Sequence, residues 1–312
     1  MQTENLSIGY VKNKVPHELF EGLNLHMERG KLVCFMGPNG IGKSTLIRTL
    51  AGLHPPLNGK LTPQNEKTVA LVLTEQVTAT KMTARELVSY GRYPYLNWVA
   101  RLSYHDQEKI DQSLQQLHIA DLADKKISEL SDGQMQMVMI ARALAQETPL
   151  LLLDEPTAHL DLNNRVAIMK LLKKLARDTH KAVLVATHEL DLALQTADVV
   201  WLATPNKAIV AGMPEDLVLS GAFDEVFQLK GFDLKTGKVF HEQYQNKNVQ
   251  LLGDGPTFLW TKNALERNGF CVTSDSGLEV VIKKDPMLAW QANGEEFSKL
   301  EGLITHLEAV LI

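Results

Sequence analysis

The sequence predicts an α/β fold with an antiparallel β flank, an all-helical insertion and a small α+β unit at its C-terminal end. Three observations carry this reading. Continuous apolar runs, such as Leu32-Val33-Cys34-Phe35-Met36 and Leu150-Leu151-Leu152-Leu153, suit strands buried on both faces of a parallel sheet, and helical spacing separates them. Residues 77–142 have helical spacing throughout and few β-branched runs. From about residue 243 the pattern changes again.

Taken in order, Leu6-Ser7-Ile8-Gly9-Tyr10 and Leu23-Asn24-Leu25-His26-Met27 alternate apolar and polar residues, as half-exposed antiparallel strands do. After the buried strand at 32–36 come a glycine-rich loop and a helix at 44–53. Strand character returns over 59–74. Helices are expected at 83–91, 104–117 and 133–146 within the insertion. The α/β pattern resumes with a strand at 150–153, a helix at 163–180 and a strand at 182–187. A helix at 190–196 and strands at 199–203 and 208–210 complete it. The polar stretch 243–248 reads as a linker, so the expected domains are 1–242 and 243–312. In the second, strands are expected at 249–252, 270–273, 278–283 and 287–291, with helices at 256–268 and 295–311. Trp260, Phe270 and Trp290 are the expected core there. Gly253-Asp254-Gly255-Pro256 opens its first helix with Pro256 near N1, which reads as a capped turn.

Composition bounds the function. The chain has 312 residues, 45% of them hydrophobic and 22% charged, enough for a sizeable core and two domains. A formal net charge of −5 argues against broad nucleic-acid binding, which needs a basic excess to neutralise phosphates. Cys34 and Cys271 are the two cysteines and lack metal-ligand spacing, which fits reduced thiols in a cytosolic protein. The polar N-terminus leads straight into a strand pattern and does not read as a signal peptide. No apolar run approaches the length of a membrane span.

Two segments carry chemistry. Gly37-Pro38-Asn39-Gly40-Ile41-Gly42-Lys43-Ser44-Thr45 fits the phosphate-loop pattern and lies between an expected strand and helix, as that motif requires. Its glycines let backbone N–H groups turn inward around phosphates, and the helix N-terminus adds its positive dipole end. Lys43 is expected to reach the β- and γ-phosphates and Ser44 to ligate Mg²⁺. Asp154 and Glu155 end the leucine strand, where open α/β sheets bind ligands. Asp154 is expected to hold the hydrated Mg²⁺ and Glu155 to act as general base on the attacking water. Metal coordination lowers a carboxylate's basicity, so the two jobs need two groups.

With Leu130-Ser131-Asp132-Gly133-Gln134 between these segments, the sequence resembles the ATP-binding-cassette (ABC) transporter ATPases over about residues 1–240. The resemblance implies their P-loop NTPase fold, ATP hydrolysis with Mg²⁺, and further site residues. Tyr10 lies where the family stacks an aromatic on adenine. Gln76 resembles the glutamine that touches Mg²⁺ or water and relays the state of the site to the insertion. Ser131, Gly133 and Gln134 resemble the signature that faces the γ-phosphate held by a second subunit. Asp161, in Ala158-His159-Leu160-Asp161, resembles the D-loop acid, and His188 the switch histidine on the γ-phosphate. Asp132 departs from the family, replacing a signature glycine, and is expected to serve as a helix N-cap. Met135 and Met137 stand where arginines are frequent.

The same resemblance implies a head-to-tail homodimer on the cytoplasmic face of a membrane, coupled to permease subunits and indirectly to a solute-binding protein. Ser89-Tyr90-Gly91-Arg92-Tyr93-Pro94-Tyr95 resembles a stretch common in importers of iron-siderophore, haem and cobalamin-type chelates. A soluble or regulatory ABC ATPase without a permease is the alternative. Translation factors of this kind usually carry two cassettes and repair ATPases long coiled coils, neither of which is visible here.

Overall fold

The computed structural model describes residues 1–61, 67–73, 81–98, 101–228, 232–234, 238–239, 247–274, 276, 278–284 and 287–310. The chain divides into two compact units, Met1–Gln228 and Leu229–Ile312.

In the first unit, β1 (Thr3–Lys12) pairs antiparallel with β2 (Val15–Leu23) and β4 (Asn58–Leu61) in the order β2-β1-β4. The second strand lies earlier than the alternation at 23–27 suggested. Asn13 and Lys14 both take positive φ, so the chain reverses in a two-residue hairpin. The strand that follows is mostly exposed and lacks the alternation that would mark it.

The second sheet has six strands in the order β5-β6-β7-β3-β8-β9. β3 (Leu32–Met36), β5 (Val69–Val72), β6 (Leu150–Asp154), β7 (Ala182–Ala186) and β8 (Val199–Ala203) run parallel, and β9 (Ile209–Gly212) closes the edge antiparallel. β3, β6 and β7 are buried at every position, which explains their unbroken apolar character. α1 (Lys43–Leu50) follows β3 and turns Leu46, Ile47 and Leu50 into the core shared by both sheets.

The insertion is helical, as expected: α2 (Ala84–Ser89), a 3₁₀ turn over Tyr90–Tyr95, α3 (Tyr104–Gln116) and α4 (Asp132–Ala145). Capping boxes at Thr83 and Ser103 set the starts of α2 and α3. Its interior is pinned by Arg92, 2% exposed, which donates to Asp106 (2.8 Å), Glu147 (2.8 Å) and the Ala145 carbonyl (2.7 Å). α5 (Leu162–Thr179) and α6 (Leu190–Thr196) alternate with the parallel strands, and α7 (Pro214–Leu219) and α8 (Ala222–Phe227) follow β9.

The second unit holds a short hairpin, β10 (Phe232–Asp233) with β11 (Lys238–Val239), and a five-stranded mixed sheet of order β13-β12-β14-β15-β16. Its strands are β12 (Asn248–Leu252), β13 (Cys271–Thr273), β14 (Glu279–Lys283), β15 (Ala289–Ala292) and β16 (Glu295–Phe297). Helices α9 (Gly255–Arg267) and α10 (Leu300–Val310) complete it. Phe270 and Trp290 are buried, and the Trp290 indole donates to the buried Thr261 hydroxyl at 2.8 Å. Trp260 corrects expectation: it is 68% exposed. The helix expected from 295 begins only at Leu300, because Asn293 and Gly294, both at positive φ, turn β15 into β16. That Asn-Gly pair is a hairpin signal the helical spacing concealed. Most of the expected linker lies outside the described residues.

Candidate functional site

The phosphate-loop segment leaves the carboxyl end of β3. Gly42, at φ +110°, is the N-cap of α1, and a Cβ there would stand 2.8 Å from Leu19 Cδ1, so both backbone and space require glycine. Lys43 is buried. Its ammonium donates to the carbonyls of Gly37 (3.0 Å) and Pro38 (3.3 Å), which folds its side chain back over the loop. Burial lowers its pKa, an effect opposed by the nearby charges of Glu155 and Asp154. Asn39, Gly40 and Ser44 are exposed, whereas Pro38 and Thr45 are half-buried.

Asp154 is the last residue of β6 and is 5% exposed. Burial raises its pKa, while a hydrogen bond from Ser44 opposes the rise. A hydroxyl beside a buried carboxylate is an oxygen-only donor pair. It suits a hard cation such as Mg²⁺, which keeps water and substrate phosphates as its other ligands. Glu155, the next residue, has left-handed backbone at φ 49°, and its N–H donates to the Ala186 carbonyl of β7 at 2.9 Å. This bond ties the turn after β6 to the end of β7. His188, two residues beyond β7, lies with Nδ1 3.5 Å from Glu155 Oε1 and Nε2 3.8 Å from Glu189 Oε1.

Ser131 caps α4: its hydroxyl accepts from the Gln134 N–H (3.3 Å), and the Gln134 side chain accepts from the Ser131 N–H (3.1 Å). This corrects the expectation for Asp132. It is the first helical residue, exposed, in the turn where a negative charge favours the helix dipole, but it is not the cap. Asp161 caps α5, accepting from the Asn164 N–H (2.9 Å) and the Asn164 side-chain amide (2.8 Å). Tyr10 is 49% exposed and stacks on His17 at 5.3 Å between ring centroids. Gln76 falls outside the described residues.

The structure thus brings Lys43, Ser44, Asp154, Glu155 and His188 to one end of the parallel sheet, the carboxyl ends of β3, β6 and β7. Sequence reasoning passed over Asn164, Arg165 and Glu189. Arg165 donates to Glu189 and to the Leu160 carbonyl, both at 2.7 Å. Its place one helical turn after Asp161 was the available signal.

Comparison with known families supplies the context. Residues 20–158 match the ABC transporter family model, and residues 246–308 match the iron ABC transporter C-terminal domain. An uncharacterised ABC transporter ATP-binding protein of Methanocaldococcus jannaschii is 38% identical over 82% of this chain and 92% of its own length. The iron(3+)-hydroxamate import ATP-binding protein of Bacillus subtilis is 34% identical, covering 73% of this chain and 88% of its own. An inward-facing structure of an ABC transporter assigned to the metal-chelate type superposes with a TM-score of 0.66 at 31% identity, over 73% of this chain and 88% of that one. With these relatives matched along most of their length and the nucleotide-site motifs in place, the chain belongs to the ABC transporter ATP-binding proteins and is an ATPase of that family.

Proposed function

We propose that this protein is the ATP-hydrolysing subunit of a membrane importer for iron chelates of the siderophore, haem or cobalamin type. The observation that carries the catalytic part is the Glu155–His188 pair at the strand ends beside Lys43 and Ser44. The match of residues 246–308 to an iron-transporter domain and the names of the relatives support the iron-chelate part.

In this reading the loop Gly37, Pro38, Asn39, Gly40, Gly42 and Thr45 cradles the phosphates, and Lys43 swings from its carbonyls onto the β- and γ-phosphates. Ser44 and Asp154 would hold Mg²⁺, with Gln76 contributing, and the cation would supply positive charge against the phosphate oxygens. Glu155 takes a proton from the attacking water. His188 donates to the γ-phosphate, and Tyr10 stacks on adenine. Each chain has one phosphate loop and one signature segment. Two copies therefore pair head-to-tail, so that Ser131, Gly133, Gln134 and Asp161 of one serve the nucleotide of the other. Loss of the γ-phosphate releases that interface and drives permease subunits at the cytoplasmic face of the membrane. A solute-binding protein would deliver the chelate to those permeases. No helix among the described residues is long and apolar enough to cross a membrane, so attachment would come through the permease.

Glu155→Gln tests the mechanism. Its ATPase rate is expected to fall at least ~100-fold, the range lost with a general base, and the variant to accumulate as an ATP-bound dimer on size exclusion. Turnover at the wild-type rate would remove Glu155 as the base. Co-purification from solubilised membranes tests the transport reading: the expected partner is an importer-type permease.

A further inference from the structure

The geometry points to Arg165 as a positioning residue for ATP hydrolysis, one that sets the distance between the Glu155 turn and the His188 loop. It touches neither turn's reacting group. Its Nε donates to the Leu160 carbonyl at 2.7 Å, within the turn that begins at Glu155 and ends at Asp161. Its Nη1 donates to Glu189 Oε1 at 2.7 Å, beside His188. One planar guanidinium thus spans the loops that follow β6 and β7, using two donors held in a fixed fork.

The acceptor is itself fixed. Thr187, 1% exposed, donates its N–H to the Phe35 carbonyl (3.1 Å), and its hydroxyl accepts from the Glu189 N–H (3.0 Å). The same Glu189 oxygen bound by Arg165 lies 3.8 Å from His188 Nε2, and Glu155 flanks the ring's other nitrogen. The His188 ring therefore stands between two carboxylates, and Arg165 places one of them. The Arg165 backbone N–H donates to the Asp161 carbonyl at 3.0 Å, the ordinary first-turn bond of α5, so the residue that carries the guanidinium is anchored at the start of that helix. Loss of this brace would let the histidine and the glutamate drift relative to each other. Reaction geometry tolerates little drift, while the phosphate loop, which Arg165 does not touch, would keep most of the nucleotide's binding contacts.

The inference rests on the roles given above to Glu155 and His188, and its test separates the two. In the full-length chain, Arg165→Ala is expected to lower kcat by roughly tenfold to a hundredfold while KM and nucleotide affinity stay within twofold, since a misplacement of about 1 Å can cost up to about a hundredfold. Arg165→Lys keeps the charge but reaches one acceptor at a time, so it should recover part of kcat. Glu189→Ala cuts the same link and also removes the carboxylate beside His188, so it should lose at least as much as Arg165→Ala, and the double variant should lose little more than Glu189→Ala alone. A wild-type kcat in Arg165→Ala, additive losses, or a rise in KM without a fall in kcat would each overturn the proposal. Should Arg165→Ala not fold, Arg165→Lys decides alone: wild-type kcat overturns it, an intermediate kcat at unchanged KM supports it. Turnover retained in Glu155→Gln would instead sink the underlying reading; an inactive Glu155→Gln beside a fully active Arg165→Ala sinks only the positioning role.

Discussion

Gly133 of α4 and Asn164 of α5 lie against each other so closely that a Cβ on Gly133 would stand 3.1 Å from the Asn164 side-chain amide. That amide cannot simply swing aside, because it donates to Asp161, the cap of its own helix. The signature-like segment and the Asp161 turn of one chain are therefore held in register across this contact.

Gly133→Ala should break that register. Overpacking of this kind costs about 1–3 kcal/mol, and the neighbour that must yield is already hydrogen-bonded. We expect lower stability in urea unfolding together with reduced ATPase activity. Wild-type values in both assays would mean that Asn164 gives way freely.

The start of α4 offers a graded pair. Ser131→Ala removes the cap and should cost about 1 kcal/mol of stability as well as ATPase activity. Asp132→Gly gives up a first-turn dipole interaction worth about 0.3–1 kcal/mol and a better helix former, yet leaves the capping box intact. Its turnover should stay near wild type. A many-fold gain would show instead that the Asp132 carboxylate obstructs the approach of phosphate.

The helical insertion should be the acid-sensitive part of the cassette. Burial is the largest influence on Asp106 and pushes its pKa up, but hydrogen bonds from Ser103 and Arg92 outweigh it and leave the pKa lowered. Glu147 behaves likewise, with Lys109 and Arg92 outweighing its burial. A carboxylate whose pKa is lowered by folding stabilises the fold fully above its unfolded value, and that stability is lost as pH falls through the folded one. Amide-exchange protection in α2, α3 and α4 should therefore weaken below about pH 4, the ordinary carboxylate range, before that of β6 and β7 does. An equal acid response in Arg92→Met would show that the ion network is not its source.

Cys34, fully buried in β3, has its thiol pKa pushed up to about 12 by burial. The thiolate is the reactive form, so Cys34 should resist alkylation at neutral pH until the protein unfolds. Mass spectrometry after iodoacetamide treatment, with and without denaturant, reads this directly; modification of Cys34 at native rates would contradict the placement.

Legibility in the sequence followed the physics of each signal. Leu150–Asp154 and Ala182–Ala186 were readable because strands buried on both faces must be apolar throughout. The turn between β3 and α1 was readable because its left-handed backbone at Gly42 restricts the residue type there. Val15–Leu23 was missed because an exposed strand need not alternate, and Glu295–Phe297 was hidden by acidic residues that suit a helix start equally well. Asp132 was misjudged by one position: aspartate and serine both cap helices, and only the backbone, extended at Ser131, decides between them. Arg165 and Glu189 are ordinary charged residues in sequence, and folding alone makes them a pair.

The left-handed backbone of Glu155 sets a trap for anyone who would make this protein more robust. Holding a long side chain there costs about 1–2 kcal/mol, and glycine or asparagine would relieve most of it. Selection for heat tolerance alone should thus favour replacing the carboxylate at position 155, yielding a hardier protein without the general base proposed above. If Glu155 is the base, durability and turnover pull in opposite directions at this residue, so variants need sorting by both.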